Sequence, residues 1–103
     1  MRFVKRHDVL RTDDFWFELD EYRDGEQQML LAHLQFFHWS PRVCRQFIQD
    51  WRVFRQYVTV PLFACPKDMD AKTFKFLCKT GWRFKQHIEC DDGKIRPLFI
   101  HTI

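Results

Sequence analysis

Two apolar runs, QMLLAHLQFF (residues 28–37) and TVPLFAC (residues 59–65), are separated by HWSPRVCRQFIQDWRVFRQYV, and this spacing constrains the fold more than any other feature. The intervening segment is far too long for a hairpin, so two strands joined by it run parallel, with the segment crossing over as a helix. Its residues fit that role. Ser40 can cap the first amide groups, and Pro41 stands where its missing N–H costs nothing. Val43, Phe47, Trp51, Phe54 and Val58 recur at helical spacing, flanked by Cys44 and Ile48, and Arg42, Arg45, Gln49, Arg52 and Gln56 form the opposite stripe. The expected unit is β-α-β with an amphipathic, cationic-backed helix.

The rest of the chain supplies antiparallel neighbours. Phe15, Phe17 and Leu19 alternate with Trp16, Glu18 and Asp20, the period of a strand with one drier face. RDGE then turns the chain, since glycine accepts positive φ without steric cost. Residues 28–37 are apolar on both faces, as expected of a central strand, and Pro61 marks an irregular or edge position in the next one. Asp68 or Asp70 is expected to cap a second helix that turns Phe74, Leu77 and Cys78 inward and ends at Gly81. Two last strands, near residues 83–90 and 94–102, are joined at DDG. The order is β-β-α-β-α-β-β, an α+β fold in a single domain over residues 1–103, with no strand assigned to the leading MRFVKRHDVLRTDD.

Composition bounds the functional classes. With 46% apolar and 17% aromatic residues in 103, the chain supports one core rich in rings, drawn from twelve Phe and four Trp. The formal charge of +3 falls short of the balance that nucleic-acid binding alone would impose. No segment approaches the roughly 20 apolar residues of a membrane span. Cys44, Cys65, Cys78 and Cys90 lack any C-x-x-C spacing, so they offer no local zinc chelate and read as buried, inert thiols. The leading segment has no apolar run of the secretory kind, which points to a cytoplasmic protein with reduced thiols.

FKFLCKTGWRF followed by a glycine-turn hairpin, together with the β-α-β unit before it, resembles the C-terminal two thirds of the GNAT superfamily of N-acetyltransferases, over residues 14–103. The family's second helix typically reads N-x-x-A-x-x-F-Y-E-K-L-G-F. Asp70, Thr73, Phe76, Leu77, Gly81 and Trp82 stand on its marked positions; Phe76, Gly81 and the aromatic Trp82 match, and Asp70 and Thr73 fit loosely. The resemblance implies a mostly antiparallel sheet with one parallel strand pair and two main helices, shortened at the N-terminus. The segment is also similar to the end of small phage internal virion proteins of GNAT-like fold, which implies the host cytoplasm or the virion as location.

GNAT enzymes hold the pyrophosphate of acetyl-CoA on a loop of the form R/Q-x-x-G-x-G/A at the start of the first of these helices. The matching place reads His38, Trp39, Ser40, Pro41, Arg42, Val43, without a glycine to let phosphate approach the backbone. By resemblance, Ser40, Arg42, Val43 and Cys44 are the residues that would carry the cofactor. Leu77 stands where many members have a tyrosine that protonates the departing thiolate, and it has no proton to give. Glu18, Asp20, Glu21 and Glu89 lie on expected strands, where a carboxylate is more often simply solvated, so no catalytic residue and no metal ligand is assigned.

Two functional classes follow. One is a GNAT-like domain with a degenerate acetyl-CoA site and no cofactor, acting through protein contacts or self-association, as a phage-type structural or host-interacting protein does; Trp16, Tyr22 and Phe37 are its candidate exposed rings. The alternative is a divergent acetyl-CoA-dependent N-acetyltransferase. A third class, nucleic-acid binding through Arg42, Arg45, Arg52 and Arg55, competes with the commoner fate of such a stripe as a solvated helix back.

Overall fold

The computed structural model describes residues 1–67 and 70–102. Three long strands, β1 (Arg2–Arg11), β2 (Phe15–Asp24) and β3 (Gln27–Phe36), form an antiparallel meander. Then follow α1 (Pro41–Tyr57), β4 (Leu62–Ala64), α2 (Ala71–Lys79), β5 (Arg83–Glu89) and β6 (Ile95–His101). The fold is α+β, a mixed six-stranded sheet of order β1-β2-β3-β4-β6-β5 with two helices. As the crossover requires, β3 and β4 are parallel, and every other pair is antiparallel.

The largest departure from expectation is β1. Its ten residues carry little apolar alternation, yet they pair with β2 from Arg2↔Arg23 to Arg11↔Trp16, with two irregularities. The attraction comes from the partner: Arg6 lies directly opposite Asp20 and pairs with it, and His7, opposite Leu19, reaches diagonally to Glu21, so polar contacts hold an edge strand that its own sequence does not announce. Such a charged edge also resists pairing with another chain. The fourth strand is shorter than residues 59–64 would allow and meets β3 only at Leu31↔Phe63.

Turn chemistry sets the register elsewhere. Gly25 has φ 62 while no residue other than glycine has positive φ among the described residues, so the two-residue loop between Asp24 and Gln27 has its glycine at the first central position of a type II′ hairpin. Asp70 caps α2 by accepting from the Thr73 amide at 2.7 Å; Asp68, the other expected cap, lies outside the described residues. At the far end the Trp82 amide bonds the Leu77 carbonyl and the Gly81 amide bonds that of Cys78, a Schellman closure with Gly81 at φ 90.

Both helices pack on one face of the sheet, around Phe15, Phe17, Phe47, Trp51, Leu62, Leu77, Trp82 and Phe99. Ring contacts bind the layers: Phe47 meets Phe15 edge-on at 5.3 Å between centroids, Phe17 meets Trp51 at 5.7 Å, and Trp51 stacks on Trp82 at 5.7 Å. The inward face of α2 differs from the expected one. Leu77 is buried, but Phe74 and Cys78 are exposed, and Thr73, Phe76 and Thr80 turn inward instead. The helix is rotated so that Phe76 reaches Phe36 and Phe47 on the neighbouring elements. Of the cysteines only Cys44 is buried; Cys65 and Cys90 are half-buried.

Candidate functional site

The strand-to-helix junction at residues 38–44 is built as a cap. The Oγ of Ser40 accepts from the Val43 amide at 3.1 Å, and the Ser40 carbonyl takes the Cys44 amide at 3.0 Å as the first bond of the helix. A helix start normally offers unused amides to an anion. Here Pro41 has none and that of Val43 is taken, which leaves Arg42's without an assigned partner among the first three helical residues. The side chains diverge as well. Val43 and Cys44 are buried toward the core and Arg42 is exposed. Ser40, Arg42, Val43 and Cys44 therefore adjoin in the chain without their polar atoms converging.

Beyond Leu31↔Phe63 the ladder between β3 and β4 stops, although β3 continues to Phe36. Rings gather at that end of β3. Phe36 contacts Trp39 at 4.7 Å, Phe47 at 5.7 Å and Phe76 at 5.9 Å, and the Lys72 ammonium sits 4.8 Å above the Trp39 ring. Leu77, one residue on from Phe76, is buried in the core cluster.

A second group of polar residues lies within the three-stranded meander. Glu18 and Asp20, expected to be solvated, are 6% and 3% exposed, and Glu21 is buried too; Glu89 is exposed as expected. They are buried because β1 and β3 flank β2 and lay long side chains over them. The Arg6 guanidinium spans Asp20 through Nε at 2.8 Å and Nη2 at 3.1 Å and lies 3.3 Å from Glu18 Oε1. On the other side His33 Nε2 is 3.0 Å from Asp20 Oδ2. The Arg6 hydrogen bond holds the Asp20 carboxyl below its usual range against the opposing effect of burial. Hydrogen bonds from Arg23 and then His7 bring Glu21 down to about 2. Glu18 Oε2 is buried without a hydrogen-bond partner among the described residues. Chemically, His33 and Asp20 form an imidazole–carboxylate pair in which the carboxylate orients a half-exposed ring. His33 carries no signal in the sequence, because nothing in QMLLAHLQFF says that an aspartate of β2 comes within reach of it.

An open cleft of about 570 Å³ lies between the C-terminal ends of the two helices, lined among others by Trp51, Arg52, Arg55, Lys79, Thr80 and His101. Arg55, placed by sequence with the solvated stripe, is 7% exposed and does not belong to it. It takes that position because α1 ends there, and its guanidinium satisfies carbonyls of Val58 at 2.6 Å, Val60 at 2.9 Å and His101 at 2.9 Å. A nucleic-acid stripe on this helix is thus reduced to Arg42, Arg45 and Arg52.

Of the rings proposed for contact, Phe37 is exposed whereas Trp16 and Tyr22 are half-buried; Trp39, Phe74 and Phe84 are exposed instead. Among the described residues no cluster of three His, Cys, Asp or Glu side chains is placed to hold a metal ion, and no helix is long and apolar enough to cross a membrane. Compared with protein families, with curated proteins and with solved structures, the chain matches none at a significant level.

Proposed function

We propose that this chain is a GNAT-like domain that does not transfer acyl groups and works by contact with a protein partner. The observation that carries the reading is the self-satisfied start of α1, where Ser40 consumes the Val43 amide and Pro41 supplies none. An anion bound there would have to displace the cap, which contributes about 1 kcal/mol to the helix. Two features add support: rings occupy the end of β3 where its ladder to β4 stops, and Leu77 is buried at the place of the family's proton donor. The single parallel pair between antiparallel strands agrees with the fold that the resemblance implies. Exposed Phe37, Trp39, Phe74 and Phe84 provide the aromatic area that protein interfaces use.

Calorimetry with acetyl-CoA at moderate salt tests the loss of the cofactor site. No binding tighter than about 0.1 mM, roughly −5.5 kcal/mol, is expected. Micromolar binding that disappears in Arg42→Ala or Ser40→Ala overturns the reading. Sedimentation over a wide concentration range then separates self-association from a heterologous partner.

A divergent acetyl-CoA-dependent N-acetyltransferase is the second reading, and the His33–Asp20 pair favours it. An amine must lose a proton as it attacks a thioester, and an imidazole oriented by a carboxylate is suited to take one. Under this reading acetyl transfer to a panel of amines is measurable and falls at least about 10²-fold in His33→Ala. Turnover that is unchanged in that variant rules out the role of His33.

A further inference from the structure

Cys65 directly follows β4 and Cys90 directly follows β5, far apart in sequence, yet their sulfurs lie 3.8 Å apart. Neither position is an accident of a loose loop. Ala64, next to Cys65, is registered against Phe99 of β6. Cys90 is held at the base of the last hairpin, where its amide bonds the Lys94 carbonyl at 2.9 Å and its carbonyl takes the Gly93 amide at 2.9 Å. The other two thiols are placed differently: Cys44 is buried on the inward face of α1 and Cys78 is exposed on α2.

We propose that Cys65 and Cys90 form a reversible intramolecular disulfide site, closed by exchange with a small-molecule disulfide such as oxidised glutathione. A disulfide requires sulfurs about 2.05 Å apart, so closure draws them together by roughly 1.8 Å, within the reach of two side-chain rotations on anchored backbones. The Cys90 thiolate, beside the Arg96 guanidinium, attacks one sulfur of the oxidant and expels one glutathione thiolate. Cys65 then loses its proton to solvent and attacks the Cys90 sulfur of the mixed disulfide, expelling the second. Two protein thiols are oxidised, one glutathione disulfide is reduced to two thiols, and the protons end on the released thiolates.

Burial pushes the Cys65 thiol up to about 11, so little of it is ionised near neutrality. Its standing contact with Cys90 offsets this by making the second attack intramolecular, with an effective concentration no external thiol reaches. The bond ties the end of β4 to the end of β5 across the last hairpin, enclosing α2 and β5 in one covalent loop. Whatever α2 and that hairpin contact is thereby held in one arrangement under oxidising conditions and released under reducing ones. The proposal does not depend on the fate of the acetyl-CoA site.

The test uses the full chain incubated with oxidised glutathione, quenched in acid and mapped by mass spectrometry without reduction. A Cys65–Cys90 linkage carrying no glutathione is expected, with Cys78 bearing glutathione and Cys44 a free thiol, and dithiothreitol reverses it. Cys65→Ser should trap glutathione on Cys90, with at least about tenfold more adduct there than in the unaltered chain. Separate, stable adducts on both cysteines of the unaltered chain, or two thiols that remain free, overturn the proposal. If Cys65→Ser fails to fold, the map of the unaltered chain decides alone.

Discussion

The Nε–H of Arg55 donates to Nδ1 of His101 over 2.9 Å, joining the last turn of α1 to the last residue of β6. Because the guanidinium is only a donor, His101 must accept there, which fixes the neutral imidazole with its proton on Nε2. The ring is wedged between Trp51 at 4.9 Å and Trp82 at 5.4 Å. Burial, and then the Arg55 charge, lower its pKa below 6.5. Protonating it would break this contact and set two cations side by side.

Stability should therefore fall on acidification. A histidine whose folded pKa is depressed binds fewer protons in the native than in the unfolded state between the two values. Its contribution is present above about pH 6.5 and is lost as pH falls through the lower, folded value. Denaturant midpoints measured from pH 8 to 5 should decline below 6.5, and His101→Gln should remove that part of the slope. Asp20, Glu21, Asp70 and Asp92, all depressed, act in the same direction but in the carboxylate range below it.

Trp51→Ala should destabilise the domain by about 3–5 kcal/mol, since it empties a site bounded by Phe17, Phe47, Trp82 and His101. Denaturant unfolding checks this. A loss under about 1 kcal/mol would mean that the ring is not packed there in solution.

Gly81→Ala meets two obstacles. The backbone stands at φ 90, and an added Cβ would lie 3.1 Å from His101 Nε2. A loss of about 1–3 kcal/mol is expected. If the loss is mainly the backbone's, Gly81→Asn should recover some of it, because asparagine tolerates positive φ better than alanine. A crowding cost from His101 would leave Asn no better.

In the meander, Arg6→Ala should destabilise the domain by stranding Asp20 and Glu18, though by less than breaking a fully buried pair because the Arg6 side chain is half exposed. Glu18→Gln is expected to change stability by under about 1 kcal/mol, since it puts a neutral group where one carboxylate oxygen already lacks a partner. A double-mutant cycle between positions 6 and 20 measures the coupling directly.

Local rules were enough for much of the architecture. Ser40-Pro41 starts a helix, Gly25, Gly81 and Gly93 hold positive φ, and a long amphipathic segment between two apolar runs makes β3 and β4 parallel. These features depend on backbone sterics and on periodicity, which a few neighbouring residues determine. The pieces that escaped depend on residues distant in the chain. Nothing within RFVKRHDVLR makes it a strand until Asp20 lies opposite Arg6 and Glu21 comes within reach of His7. Periodicity narrows the inward face of α2 but leaves Phe74 and Phe76 in competition, and the rings of Phe36 and Phe47 settle it for Phe76. Arg55 has the sequence look of a solvated arginine. Only the arrival of His101, Val58 and Val60 at the end of α1 supplies the acceptors that let a guanidinium be buried. Likewise the composition of the junction at Ser40 is local and legible, whereas the His33–Asp20 pair and the meeting of Cys65 with Cys90 exist only once strands are in register, because charge pairing and thiol contact require proximity that chain order does not encode.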